Sequence, residues 1–582
     1  MSAQTGTATP GGPASQRLVD RAKFRVGRLE AEPNPIWIRE LKQAARLART
    51  PIIMTVVTVL MTLLIASIGG IVSTDTAPAK TGVILFQVFF SLAYYVVTLV
   101  GPAVAANSIA SEREGRTWEA VLLTGIPPGE IARGKFLGAY TAIGMYVVIL
   151  APVGALPFLF GGVTALEVVV AFLFLFLIAL LSVAFGLALS SKMASLRVAI
   201  VITLLLAFPI ANTAFGVGGF ALSMAAHRAW PDVAEGMPIW LPAAYERAPF
   251  GVEYAVFLIA LPVATVVLPA WFLYEVTIAN LTSPTDDRSF GLKRWFVVAM
   301  PVLTAAAAVP VFSVAPNDRI GTIAFALCAM YVFLGFAVFL FAGDPIGPSR
   351  RVQAHWDRDR AGRLRRLLGP GVMRSAGLLL VAGVASIAAL ATLGLVLLDD
   401  PTIIRPEVER QQIVCLAAYA IAFYVFLVGL GAFLRARTSG PMAARVLLFT
   451  LLFAVSVGPW IVAAIAGIIA DNRGGADDAL AIGAPSPFYV FLMMAKVDEP
   501  DAQGIIIAGV AAMLAWVTVG LALLGAARAR CAKVLGEQAA ALAHTEALLR
   551  QEDEAIAAAA SGGEAAHAAH AAQAAQAAQA ET

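Results

Sequence analysis

Charge is scarce in this chain: only 14% of its 582 residues are Asp, Glu, Lys or Arg, against about a quarter in an ordinary soluble domain. Cysteine is scarcer still. Cys328, Cys415 and Cys531 are the three present; they stand far apart, the first two inside apolar runs, so neither a disulfide framework nor a metal site is expected. No apolar segment precedes Pro51, which argues against a cleaved secretory signal. What fills the chain instead is apolar, 59% by composition. A water-soluble fold cannot cover that much apolar surface. The balance excludes a cytosolic enzyme, a nucleic-acid binder and a disordered scaffold. The apolar residues come in runs of about 20 rather than in alternating stretches of about ten, so the expected class is an all-α polytopic membrane protein and not a β-barrel.

Runs long enough to cross a bilayer lie near 51–73, 82–106, 137–160, 165–190, 197–224, 252–280, 295–315, 320–343, 375–398, 412–434, 446–470 and 504–526. That makes twelve spans. Pro209, Asn212 and several glycines mark the fifth as a helix that can break. With the N-terminus inside, 33 of the 41 Lys and Arg residues fall in inside segments and 8 fall outside. This asymmetry orients the chain with both termini in the cytoplasm. The loops are too short for a folded extracellular domain of usual size. The expected organisation is a flexible arm at 1–33, an amphipathic interfacial helix at 34–49, six spans at 50–281, six more at 282–527 and an Ala-rich cytoplasmic tail at 528–582.

In the arm, Asn34 suits an N-cap and Pro35 the first helical position. Beyond them Trp37, Leu41, Ala44 and Ala48 share one face, and Arg39, Lys42, Gln43, Arg46 and Arg49 the other. Such a basic amphipathic helix, leading directly into a span, is expected to lie on the inner leaflet. Trp37, Arg39, Glu40 and Leu41 are its marker residues.

The inside loop between spans 2 and 3 carries the most pattern. Thr117 is placed to cap a short helix from Trp118 to Leu123; Thr124-Gly125 ends that helix, and Pro127-Pro128 prevents its continuation. The helix offers Trp118, Val121, Leu122 and Leu123 for packing, flanked by Glu112, Glu114 and Glu119.

Here the chain resembles the permease subunits of ABC-2 type ABC transporters. Their loop between spans 2 and 3 reads S-x-E-x-x-x-G-T-x-E-x-L-L-x-T-P, followed by I-x-x-G-K. Ser111, Glu112, Thr117, Glu119, Leu122, Leu123, Thr124, Pro127, Ile131, Gly134 and Lys135 stand in closely matching places. The departures are Arg116, where the family favours Gly, and Gly125-Ile126 before Pro127. Asn34 to Leu41 is similar to the family's N-P-hydrophobic-hydrophobic-x-R/K-E-L arm. The likeness covers residues 34–280. It implies an exporter that moves substrate by alternating access, powered by a separate ATP-binding subunit that holds ATP and magnesium; no cofactor is expected on this chain. It also implies that the loop helix docks on that subunit, with Glu112, Glu114, Thr117, Glu119 and Lys135 as coupling residues and Trp118, Leu122, Leu123, Thr124 and Pro127 shaping the element. A second permease, identical or not, and membrane lipids are the other expected partners; nucleic acid is not. The implied site is a cell membrane, the inner one in a bacterium, and Ala- and Arg-rich usage fits a bacterial source.

Two alternatives to an exporter stand beside it: a twelve-span major-facilitator-like secondary transporter, which Glu112-Arg113-Glu114-Gly115-Arg116 faintly resembles, and a non-transporting membrane scaffold. The carrier reading lacks ionisable groups deep in the bundle. Gly129 to Lys135 matches the first seven positions of a phosphate-binding loop, but Phe136 replaces its Ser or Thr and no strand precedes it.

In the second half, the long inside loop from Asp344 to Arg374 holds Arg350, Arg351, Arg363, Arg365 and Arg366 around Trp356. It reads either as a degenerate second coupling loop or as a basic surface for anionic lipid heads. The outer stretches Pro485 to Met494 and Met237 to Pro242 are apolar but short, and are candidates for interfacial elements. The tail is expected to be helical over 528–559 and disordered or frayed beyond Gly563.

Overall fold

The computed structural model describes residues 33–46, 49–220, 242–312, 314–358, 362–399, 405–471, 480–499 and 503–580, with a few isolated positions between them. Most of the N-terminal arm and residues 237–241 of the apolar outer stretch lie outside the described residues. Among those described there is no strand, and twelve helices are long and apolar enough to cross a membrane. The protein is an all-α, multi-pass membrane protein.

In chain order, helix α1 is Pro35–Arg46, α2 Arg49–Asp75, α3 Pro78–Glu114, α4 Trp118–Leu123, α5 Pro128–Gly154 and α6 Leu156–Phe160. Helix α7 is Ala165–Ser190, α8 Leu196–Thr213, α9 Pro242–Arg247, α10 Leu261–Leu281 and α11 Phe290–Phe312. Then come α12 Arg319–Phe341, α13 Arg350–Arg358, α14 Arg363–Leu367, α15 Val372–Leu397, α16 Pro406–Arg437, α17 Pro441–Asp471, α18 Tyr489–Lys496 and α19 Gln503–Ala580. Helix α8 gives way to a π-helical turn over Ala214–Gly218, so the fifth span changes its winding after Pro209 and Asn212, and the sixth begins as a second π-turn at Tyr254–Ala260.

The chain forms two compact units, one of residues 1–326 with 351–368, the other of 327–350 with 369–582. The first unit is built on α3. Its Phe86, Phe89 and Phe90 pack into a buried cluster with Val147 and Leu150 of α5 and Leu175 and Ala179 of α7. Small residues let α3 and α7 approach: a side chain at Gly186 would collide with the backbone of Pro102, and one at Gly101 would press on Ser182 at 3.0 Å. Close backbone approach through small residues drives helix association where lipid removes the hydrophobic incentive. The Ser190 hydroxyl ties the ends of the two helices, donating to the Ala106 carbonyl at 2.6 Å and accepting from the Ala110 amide at 3.0 Å. The seventh span belongs to this unit too, since the Trp295 indole N–H donates to the Leu268 carbonyl at 2.9 Å.

The second unit is built on α16, whose Tyr419, Phe423, Tyr424 and Leu427 are buried. The Tyr424 hydroxyl donates to the Leu379 carbonyl of α15 at 2.8 Å, and Gly429 lies against the backbone of Gly520 in α19.

Three helices outrun their apolar runs. Helix α3 continues through Glu114, α5 starts at Pro128, and α19 continues as backbone helix to Ala580, where disorder or fraying is expected beyond Gly563. Alanine has the highest intrinsic helix propensity, so the Ala-rich tail needs no buried face to wind as helix.

Candidate functional site

The α1 to α5 region forms one anchored assembly at the arm end of the first unit. It begins with Asn34. Its side-chain Oδ1 accepts from the Ile36 amide at 3.0 Å and the Trp37 amide at 3.4 Å, so it caps α1. Its Nδ2 reaches the Glu130 carbonyl at 2.9 Å and the Glu130 carboxylate at 3.2 Å. One short side chain thus starts the helix and pins it to the first turn of α5.

Along α5, two glycines four residues apart receive α1. A Cβ at Gly134 would lie 2.6 Å from Asn34 Oδ1 and 2.7 Å from Ile36 Cβ; at Gly138 it would lie 2.8 Å from Glu40 Cβ. Glycine spacing of four puts both gaps on one helix face, and Ile36 is buried in this groove. The Trp37 indole N–H donates to Thr141 Oγ1 at 3.3 Å. The end of α1 that holds Lys42 and Gln43 stays exposed, and the side chains of Ala44 and beyond lie outside the described residues.

Beneath α1 lies a four-residue ion cluster. Lys135 is fully buried. Its ammonium group contacts Glu40 Oε1 at 2.8 Å and Glu112 Oε1 at 3.0 Å and donates to the Ser108 carbonyl at 2.8 Å. Arg39 pairs with Glu112 and with Glu40, the latter at 3.2 Å. Two cations meet two anions, which offsets the cost of taking them out of water. The balance is not complete, because Glu112 Oε2 and Arg39 Nε are buried without a hydrogen-bond partner. The cluster joins α1 (Arg39, Glu40), the end of α3 (Glu112) and the start of α5 (Lys135). The run Gly129 to Phe136 is therefore helix from Pro128 onward, and its lysine is spent on two carboxylates rather than offered to a phosphate.

The next residues reach the other way. Glu114 Oε2 accepts from the Leu196 amide at 2.7 Å, at the N-terminus of α8, where a carboxylate is favoured by the helix dipole. Arg113 donates to the Met193 carbonyl at 3.4 Å and stands over the Trp118 ring at 5.6 Å from its centroid.

Arg116 makes the turn into α4, with φ of 56°. That is the left-handed region, which glycine visits without steric cost. Thr117 occupies the N-cap position of α4, yet makes no side-chain cap; its hydroxyl donates instead to the Glu112 carbonyl at 3.3 Å. Helix α4 ends at Thr124 with Gly125 at φ 69°, and Pro127 precedes α5 in extended geometry.

The assembly leaves α4 with two unlike faces. Val121 is buried, and Trp118 is half-buried against the same core. Glu119, Leu122 and Leu123 are exposed, Leu123 at 87%. The candidate coupling residues thus divide by position. Glu112, Glu114 and Lys135 hold neighbouring helices, while Glu119, Leu122 and Leu123 present an exposed acidic and apolar surface. Sequence reading placed all six in one loop but not on two sides of it. The contacts of Asn34 with Glu130, and of Gly134 and Gly138 with α1, went unread, although the four-residue glycine spacing was a usable signal.

In the basic loop of the second half, Val352 and Trp356 of α13 are buried. Arg350 pairs with Glu546, Arg351 with Asp286 at 3.1 Å, and Arg366 with Asp357 at 3.1 Å. Arg363 and Arg365 lie on the exposed α14. Among the described residues no group of His, Cys, Asp and Glu is placed to hold a metal ion.

The sequence matches no known family and no curated protein.

Proposed function

We propose that this chain is the membrane-spanning permease subunit of an ATP-driven exporter, and that α4 is the element through which a separate ATP-hydrolysing subunit moves it. The observation that carries this reading is the division of α4. One side is fastened to the bundle through Trp118 and Val121, and the other offers Glu119, Leu122 and Leu123 to a partner. A helix held this way transmits a push rather than absorbing it. The push would enter α3, which runs unbroken for 37 residues and so spans about 55 Å. The cluster of Arg39, Glu40, Glu112 and Lys135 makes α1, α3 and α5 move together. The excess of basic residues on this end supports a cytoplasmic α4, where an ATPase can reach it. The left-handed Arg116 supports the reading further: the position where this chain departs from the glycine of the ABC-2 pattern is one where the backbone suits glycine.

Affinity purification of the full chain from its native membrane tests this. An ATP-hydrolysing subunit is expected to copurify. Glu119→Lys and Leu123→Asp are expected to leave insertion and melting unchanged and to lower the amount captured at least tenfold. Unchanged capture and transport in both variants would overturn the assignment. An ion-coupled carrier would transport without any partner, and a scaffold would show no substrate-stimulated ATP hydrolysis.

A further inference from the structure

The second unit contains a cavity of about 580 Å³ between α12, α16 and α17, closed at one end by the apolar stretch that leads into α18. Its walls include Val332, Phe336, Phe423, Phe449, Phe488 and Phe491. Only Cys328, Tyr331, Tyr419 and Ser456 among the lining side chains carry a polar atom. The Tyr419 hydroxyl is already engaged with the carbonyls of Ala484 and Ser486. An occupant therefore finds almost nothing to hydrogen-bond along the walls. Val332 and Phe449 are exposed on the open side, at 71% and 64%, so the slot opens onto the outside of the helices.

Its shape sets the class of occupant. Along α12 the lining runs from Leu327 to Phe339, which at helical rise is about 18 Å. Half the hydrocarbon thickness of a bilayer is about 15 Å. The slot is thus long enough to take an acyl chain to the bilayer midplane, and its volume of about 580 Å³ falls within the range of about 300–1,000 Å³ usual for small-ligand sites.

Charge marks one end. Arg445 lies one turn before Leu448 and Phe449, at the end of the slot formed by Phe339. Its guanidinium sits 5.8 Å from the Phe339 ring centroid and donates to the carbonyls of Phe339 at 3.2 Å and Leu340 at 2.8 Å. A cation is thus fixed where α12 ends and α17 begins, the end that the basic-residue asymmetry assigns to the cytoplasm.

We propose that this slot binds one acyl chain of an anionic, phosphate-bearing membrane lipid from the cytoplasmic leaflet, with its head group at Arg445. The site does not depend on the docking role of α4. The apolar stretch around Pro487 to Phe491 then has a function as the stop against which the chain end rests. Arg445 supplies head-group preference, and the walls supply depth without chemical selectivity.

The test uses the full chain in nanodiscs of either phosphatidylglycerol or phosphatidylcholine, each with a photoactivatable diazirine on one acyl chain. After photolysis, adducts are mapped by peptide mass spectrometry. Adducts on the peptides carrying Phe336 and Phe449 are expected to favour phosphatidylglycerol about fivefold, the factor one arginine contributes at an anionic head. Arg445→Gln should bring the two lipids level and Arg445→Lys should keep the preference. Gly335→Leu should lower the slot adducts at least fivefold while leaving those near the exposed Val381 of α15 unchanged. Val332→Trp, at the open edge, provides the same obstruction where a core change disturbs folding. Equal labelling of both lipids in the unaltered chain, slot adducts no more abundant than those near Val381, or a crosslink to a second copy at Phe449 would each overturn the proposal.

Discussion

Replacing Lys135 by Met puts the ion cluster under the most direct stress. Methionine fills the same length of buried space, so the change removes charge and hydrogen bonds with little loss of packing. The cluster goes from two cations and two anions to one cation and two anions, and the Ser108 carbonyl loses its donor. Breaking a fully buried pair by removing one partner costs about 3–5 kcal/mol. Glu40 and Glu112 keep 18% and 14% side-chain exposure, and water relieves part of that cost, which puts the loss near the lower bound, about 3 kcal/mol. It falls on the docking of α1, because Glu40 is on that helix and Glu112 also pairs with Arg39 of it. At about 1.36 kcal/mol per decade, local opening of α1 should rise roughly 100-fold. Hydrogen exchange of amides 39–46 in the purified full chain reads this directly. Adding Glu40→Gln restores one cation against one anion, so the double variant should exchange more slowly than Lys135→Met alone. Exchange within threefold of the unaltered chain, or a double variant that is the plain sum of the two single changes, would refute the buried-cluster account of α1 docking.

Asn34→Ala removes the α1 cap and both links to Glu130, and is expected to cost at least the usual 1 kcal/mol of a lost cap, seen as faster exchange confined to the start of α1 and α5. Gly186→Ala places a methyl group on the Pro102 backbone and should force α3 and α7 apart; thermal melting in detergent would drop by several degrees, whereas Gly458→Ala, which meets open space, should leave it unchanged. Arg116→Gly relieves a left-handed non-glycine residue at φ 56° and should stabilise the loop by about 1 kcal/mol, measured as slower exchange over residues 115–125.

Much of the site's local form was readable along the chain. The stop at Thr124-Gly125, the break at Pro127-Pro128 and the cap at Asn34 follow from residue types whose backbone preferences act over three or four positions. Thr117 shows the limit of that reasoning. It has the right chemistry and the right position for a cap, but its hydroxyl turns back to the Glu112 carbonyl, because the left-handed turn at Arg116 brings that carbonyl within reach. Glu112, Glu114 and Glu119 look alike in a linear pattern, and nothing in their spacing distinguishes a carboxylate that holds a neighbouring helix from one left exposed.

The sequence alone determined the class and the number of spans. Apolar runs of about 20 residues and the placement of 41 basic residues are properties of the chain in one dimension, and the bilayer tests them in one dimension as well. The tertiary structure alone decided which charges face each other. Lys135 meets Glu40 from 95 residues away and Arg39 meets Glu112 from 73. Those pairs exist because Gly134 and Gly138 let α1 settle on α5. A contact made by the absence of two side chains leaves no hydrophobic period to read; only the folded chain shows Glu112 paired with Arg39 and Lys135, Glu114 holding the Leu196 amide, and Glu119 exposed.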